Sequence, residues 1–345
     1  MTKGMTVGLD LAKNVFFLVT LAGDGHPVGR KKLSRQQMLT HFARLEPCRV
    51  AMEACGSSHY WARELTALGH EVQLLPAQHV KGYRRGQKND YNDAEAIAEA
   101  CWHGRLRAVH AKSIEEQDRQ SLDRIRRLLV QEQTALINQT RGLLAEYGIV
   151  IARSKAQFQA ALPRLLDETE TRLSPVMREL MQRQWQRYRT LREELGWYDR
   201  QLKALAESDP RCRLLQTVPG IGPVVATAFV NHVGDGRTFA RGRDVAASVG
   251  LVPGQHSSGD RTILLGISKR GDKILRSLLI HGARSVVRQA HRKTDALSVW
   301  IQHLEARRGH NRTVVALANK LARIGWAVLM HGQPYRTRDT AVAIG

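Results

Sequence analysis

The chain is poor in cysteine, in aromatic residues and in acid. Its four cysteines, Cys48, Cys55, Cys101 and Cys212, form no CxxC pair. That excludes a zinc knuckle or a thioredoxin-like centre and leaves buried thiols of a reduced cytosolic protein. No run of eighteen apolar residues occurs, so no membrane span is expected. The opening MTKGMTVGLDLAKN has no long apolar signal core and no small-residue cleavage site. Cytoplasmic residence, with no membrane partner, is the expectation. Neither GxxxxGK[ST] nor a strand-borne GxGxxG is found, which removes the two best-defined nucleotide-binding loops. Fourteen histidines include no pair at a convincing metal spacing.

Acid is the scarcer charge. Asp and Glu number 32 against 53 Lys and Arg, a formal net charge of +21. Such an excess attracts polyanions and makes binding salt-dependent, because cations displace counterions from phosphates. DNA or RNA is the expected partner. A basic surface kept for solubility explains so large an excess less well. No segment pairs one basic face with one bulky apolar face, as an anionic membrane would require. With 345 residues, 43% of them hydrophobic, the chain can build real cores, and its length predicts two or three domains.

Along the chain, residues 1–110 read as α/β. Short β-rich runs cover Thr6–Leu11, Val15–Leu21, Pro27–Leu33, Arg49–Glu53 and Glu71–Leu75, with a turn signal at Gly23-Asp24-Gly25. Helical patterns fill 35–46, the stretch to Leu68 with Ser57 or Ser58 as cap and Gly69 as stop, and Asp90–Trp102. Three hairpin-like strands followed by alternating helices and strands predict a mixed sheet with helices around it. From 111 to 208 glycine becomes rare. Stripes at Leu122, Ile125, Leu129 and Leu136, and at Met177, Leu180, Met181, Trp185 and Tyr188, predict two long helices in a hairpin or coiled coil. Pro163 and Pro175 would mark breaks near the turn between them. Residues 209–345 are glycine-punctuated, then mainly helical.

Acids mark the chemistry. Asp10 ends the strand of GLDLAK, Glu53 ends RVAME, and Asp90 and Asp93 open a helix in KNDYNDAEAIAEA. Positions three apart share a helix face. Carboxylates at two strand ends can meet that face at one point. Grouped carboxylates repel unless a cation sits among them, and hard divalent ions, Mg²⁺ first, are the natural partner. Two such ions can activate an attacking oxygen and stabilise a leaving one in phosphoryl transfer. Taken singly, each acid is a turn, cap or helix-dipole residue.

Two basic clusters stand out: Lys81, Arg84, Arg85 and Lys88 just before Asp90, and Lys269, Arg270, Lys273 and Arg276 after HSSGD. Phosphate contacts are expected there, with Tyr83 a possible stacking group. Arg124, Arg126 and Arg127 fit a solvated helix face. Tyr60, Trp61 and Trp102 read as core. VPGIGP resembles a helix-hairpin-helix turn, in which Gly220 and Gly222 let the backbone approach a phosphate; a plain turn between packed helices fits equally in isolation. HSSGD alone is a surface turn, and the pattern does not separate Ser257 from Ser258.

The ordered segments GLDLAK, AMEACGSSHYW, QKNDYNDAEAIAEA, LLQTVPGIGPVVATAFV, AASVGLVPGQHSSGDR and ISKRGDKILRSLL together resemble the DEDD transposases of bacterial insertion sequences, the insertion-sequence-110 class with its 1111 branch. The resemblance spans nearly the whole chain. It implies an RNase H-like (RuvC-type) catalytic domain over 1–110, a helical coiled-coil dimerisation segment over 111–208 and a C-terminal transposase domain over 209–345. It assigns Asp10, Glu53, Asp90 and Asp93 to a metal-binding tetrad and Ser258 to the nucleophile. It further implies a composite site across a dimer, a tetramer on two DNAs (element ends or circular junction, and target), and a guide non-coding RNA. Two other readings stay open on the residues: a junction-resolving nuclease that uses water and needs no Ser258, and a non-enzymatic basic scaffold whose acids merely balance charge.

Overall fold

Apolar side chains at Val7, Leu9, Phe16, Leu18, Val50 and Met52 give the N-terminal region its buried sheet. In a computed structural model, which describes residues 4–167, 172–258 and 261–337, the chain divides into two compact units, Met1–Gln117 and Asp118–Gly345. The helical segment thus shares a unit with the C-terminal helices.

In the first unit, β1 (Thr6–Leu11), β2 (Val15–Leu21), β3 (Pro27–Ser34), β4 (Arg49–Glu53) and β5 (Glu71–Leu75) form one sheet in the order β3-β2-β1-β4-β5. The first three strands pair antiparallel. β4 lies parallel to β1, and β5 parallel to β4. The helices are α1 (Gln37–Phe42), α2 (Ser58–Ala67), α3 (Ala77–Val80) and α4 (Asp90–His103). One face of the sheet packs on Trp61, Ala62 and Leu65 of α2 with Met38 and Phe42 of α1. The other carries α4, through Ala94 and Ala98 against Val19 and Leu21, and through Ala96, Ile97 and Ala100 against Ala51 and Leu75.

The expected serine cap of α2 is not formed. Ser57 stands at the N-cap with φ 66° and no side-chain hydrogen bond, and the Ser58 hydroxyl donates back to the Cys55 carbonyl. Gly69, at φ 92°, does end the helix.

The second unit starts with three helices rather than two: α5 (Ile114–Ala145, its first turn in the first unit), α6 (Lys155–Asp167) and α7 (Pro175–Ser208). Pro163 lies inside α6 and breaks nothing, while Pro175 opens α7, where its missing N–H costs nothing. Leu129, Leu136, Ile137 and Leu144 of α5 meet Phe158 and Leu162 of α6 and Met181, Tyr188, Leu191 and Leu195 of α7. Ile125 and Leu180, expected in the stripes, are exposed. Asp209 accepts from Arg119 at 2.7 Å and from Arg211 at 2.9 Å, tying the start of α5 to the end of α7.

Beyond Asp209 come α8 (Pro210–Leu215), α9 (Pro223–Val233), α10 (Gly242–Ser248), the hairpin β6 (Pro253–Ser258) and β7 (Arg261–Ile267), α11 (Lys273–Ala290), α12 (Ala296–Arg308) and α13 (His310–His331). α13 is long and apolar enough to cross a membrane. Its Val314, Leu317, Ala318, Leu321 and Ala322 instead bury in the middle of this core, where α13 packs chiefly on α11 and α10.

Candidate active site

Parallel register sets Leu9 beside Met52, so the next pair along the two strands is Asp10 and Glu53, at the same edge of the sheet. Alternation puts Asp10 on the face of Gly8, and that face carries α4. The approach is close. A Cβ on Gly8 would overlap the Ala94 carbonyl oxygen and lie 2.5 Å from the Ala98 nitrogen. Glycine there lets the first turn of α4, with Asp90 and Asp93, come down on the strand end. The Phe17 ring, opposite Asp10 in register, meets the Tyr91 ring edge-on at 5.0 Å. Asn89 caps α4, accepting from the Asn92 amide at 2.8 Å, and both acids sit where the helix dipole favours them.

The electrostatics record the convergence. Burial, then Asp93, Asp90 and Glu53, push the Asp10 carboxyl up to about 6. Burial and Asp93 raise Glu53 as well, against Lys81 and Arg84. The same field reaches Cys55, whose thiol is raised by burial, Glu53 and Asp10. The carboxylates do not close into a ligand shell, however. Among the described residues no three acid, histidine or cysteine side chains are grouped so as to ligate an ion. The Arg84 guanidinium donates to Asp93 at 3.1 Å. A partly buried excess of negative oxygen donors fits a hard divalent cation by charge and donor type.

Two family models match the chain. Residues 212–298 match the family described as "Transposase IS116/IS110/IS902 family", and residues 7–149 match the DEDD transposase domain of the same class. The chain is 47% identical over 331 residues to a protein of Pseudomonas aeruginosa named "Probable family 20 transposase", covering 96% of this chain and 98% of that one. The chain belongs to the IS110 family of transposases. It is also 43% identical over 330 residues to the transposase for insertion sequence element IS1111A of Coxiella burnetii, with 96% and 91% of the two chains covered. The transposase for element IS1328 of Yersinia enterocolitica is 38% identical over 328 residues, with 94% and 97% covered. The mixed sheet of the first unit and the helical region that follows are consistent with an RNase H-like transposase of this family.

The transposase carries Ser258 on a strand, not in a turn. Ser258 ends β6 opposite Arg261, and Ser257 and Ser258 are both exposed. Ser257 accepts a hydrogen bond from Gln255 at 2.8 Å, which distinguishes the two hydroxyls. Sequence patterning misses this hairpin because neither face is buried, so no period of two is imposed on it. Gly259 and Asp260 lie outside the described residues.

No sequence pattern singles out His232. Its Nε2 lies 2.8 Å from the Ser248 Oγ, and its Nδ1 lies 3.5 Å from Asp272 Oδ2. Ser248 donates its own proton to the Val245 carbonyl, so its oxygen accepts from the imidazole. Burial works against Asp272, yet His232 and the Leu275 and Ile274 amides hold its carboxyl well below the usual carboxylate range. Asp272 also donates its amide hydrogen to the Ser248 carbonyl. The cluster clamps the two chain segments that enter and leave the serine hairpin.

The basic positions separate into two kinds. Lys81, Arg85, Lys88, Lys269, Arg270 and Lys273 are exposed, although Arg85 leans on Glu99 at 3.6 Å. Arg84 is engaged by Asp93, and Arg276 donates to the Val249 and Arg270 carbonyls at 2.9 and 3.2 Å. Arg126 and Arg127 pair with Asp199 and Asp123. Tyr83 leans on the His103 ring at 5.7 Å. Gly222 is exposed at the N-terminus of α9. Gly220 packs closely on a neighbouring helix. At φ 84° its Cβ position lies 2.9 Å from the Gly282 carbonyl oxygen, so its lack of a side chain is spent on packing against α11.

Proposed function

We propose that this transposase cuts and rejoins DNA strands through a phosphoserine on Ser258, with Asp10, Glu53, Asp90 and Asp93 holding divalent cations, two Mg²⁺ ions by preference. When bound, such ions supply positive charge beside the reacting phosphate. The observation that carries the reading is Asp10: a carboxyl raised to about 6 by burial and three neighbouring acids. Nothing in the fold's stability calls for such crowding, and catalytic sites are where it recurs.

The chain's own part is as follows. The Ser258 Oγ loses its proton and attacks a phosphorus of the DNA backbone. The bond from phosphorus to one sugar oxygen breaks, and that oxygen takes up a proton as a free strand end. One phosphate ester replaces another, so a hydroxyl end can attack the phosphoserine and reseal the strand without an outside energy source. Lys81, Lys88, Lys269, Arg270 and Lys273, with the exposed amide end of α9 at Gly222, hold phosphates.

The partners are the element's DNA ends or circular junction, the target DNA, and a guide non-coding RNA, all polyanions suited to a net charge of +21. Residues 111–208 serve as the dimerisation segment of a homo-oligomer, a dimer that forms a tetramer on DNA. Exposed Ile125 and Leu128 on α5, and Leu180 and Trp197 on α7, support that role.

The test is incubation of protein, DNA and element-derived RNA with Mg²⁺, followed by a denaturing gel. A protein-linked DNA band is expected, lost in Ser258→Ala and in Asp10→Asn. Strand cleavage that persists in Ser258→Ala but not in Asp10→Asn would identify water as the nucleophile and overturn the serine assignment.

A further inference from the structure

A groove of about 890 Å³ opens at the base of the β6–β7 hairpin. One wall is β7, through Leu265 and Ile267. The other is Trp300 on α12 and the face of α13 that carries Arg312, Lys320 and Arg323. Its volume is that of a small-molecule site. Among the described residues three cations rim it and no acid lines it. The Lys320 ammonium lies 4.5 Å from the centre of the Trp300 ring. Asn319 lines the groove with its amide fixed by donation to the Leu251 carbonyl at 3.0 Å.

An apolar wall, an aromatic face and cations without acids form the complement of a nucleotide. The base is flat and apolar on its faces and the phosphate is anionic. An uncharged apolar peptide would leave three cations unmatched. A duplex keeps its bases paired and stacked, and shows a protein groove mainly phosphates and base edges. We propose that this groove holds one unstacked nucleotide of a single-stranded nucleic-acid segment, with the base against Trp300 and Leu265 and the phosphate on Arg312 and Arg323. Lys320 then leaves the indole face to the base and turns to the phosphate, exchanging one cation–π contact for stacking and an ion pair.

Position gives the groove its use, and here the proposal rests on the reading of Ser258 as nucleophile. Ile267 is in the groove and Arg261 is opposite Ser258. Six strand residues at about 3.4 Å each separate them by about 20 Å. A strand anchored at the hairpin's base is therefore held a short, fixed distance from the serine at its tip.

The test uses the full chain with a fluorescent oligothymidine and a blunt duplex of equal length, read by anisotropy, plus photocrosslinking of a 5-iodouracil oligonucleotide. Trp300→Ala and Lys320→Ala are expected to weaken single-strand binding roughly tenfold, in line with the loss of one stacked base, and to leave duplex affinity within about twofold. Trp300→Phe, which keeps a ring, should restore most of the loss and so exclude misfolding as its cause. The crosslink should map to the peptide that contains Trp300. Equal weakening of both DNA forms, or unchanged single-strand binding, overturns the proposal. The two readings fail separately. A protein-linked DNA band from a chain whose groove variants bind single strands normally sinks this inference alone. A mapped crosslink in a chain that never forms the band sinks the serine assignment alone.

Discussion

Arg84 donates to Asp93 at 3.1 Å, from a position nine residues earlier and within reach of Glu53's field. The pair balances part of the acid cluster and competes with any cation for one of its four carboxylates. Arg84→Ala is expected to tighten Mg²⁺ binding by the DNA-free protein severalfold, because an opposite charge beside a carboxylate is removed. A Mg²⁺ titration followed by melting temperature reads this, since a ligand that binds only the folded state raises stability with its concentration. An unchanged midpoint would show that the ion pair does not compete.

Asp10 opposes folding at neutral pH. Its carboxyl holds a proton up to about 6 in the fold, against 3.8 as its ordinary value. Between those values the folded state binds the additional proton, so stability falls as pH rises through the window and stays reduced above it. Asp10→Asn is expected to stabilise the metal-free protein at pH 7 by about 1 kcal/mol, after allowance for solvent screening at a partly exposed group. The gain should vanish below about pH 4. Denaturant melts of both proteins across that range would check it, and a variant less stable than wild type at pH 7 would contradict it.

Gly8→Ala tests whether the close helix–strand approach assembles the cluster. Its Cβ would overlap backbone of α4, and overpacking of this kind costs about 1–3 kcal/mol. The expected result is a lower melting temperature together with a fall in the Asp10 carboxyl's elevation, followed by NMR, as the helix moves away. Elevation that survives the substitution would mean that α4 does not deliver the neighbouring charges.

His232→Ala should loosen the base of the serine hairpin. It leaves the Ser248 oxygen and Asp272 without the imidazole that lies against both, a loss of about 1–3 kcal/mol for part-buried polar groups. Faster amide exchange is expected at Asp272 and Ser268, whose N–H groups donate to the Ser248 and Val252 carbonyls. His232→Gln keeps a donor for Ser248 and should recover part of the protection. Exchange unchanged in His232→Ala would remove the imidazole from the clamp.

Sequence determined the five-strand sheet and its helices, because each strand buries a face. Val7 and Leu9, Phe16 and Leu18, or Val50 and Met52 must be apolar at a fixed period of two, and burial writes that period into the residues. It also carried the order of the acids and the family that shares it. Where no face is buried, the signal fades: the exposed β6–β7 ribbon reads as a turn, and α6 hides behind Pro163. Only the tertiary structure decided that Gly220 packs on Gly282, that Arg84 pairs with Asp93, and that His232 joins Ser248 to Asp272. Those pairings join residues far apart in sequence or select among several local partners. A side chain's use depends on which neighbour arrives, and local pattern does not carry that information.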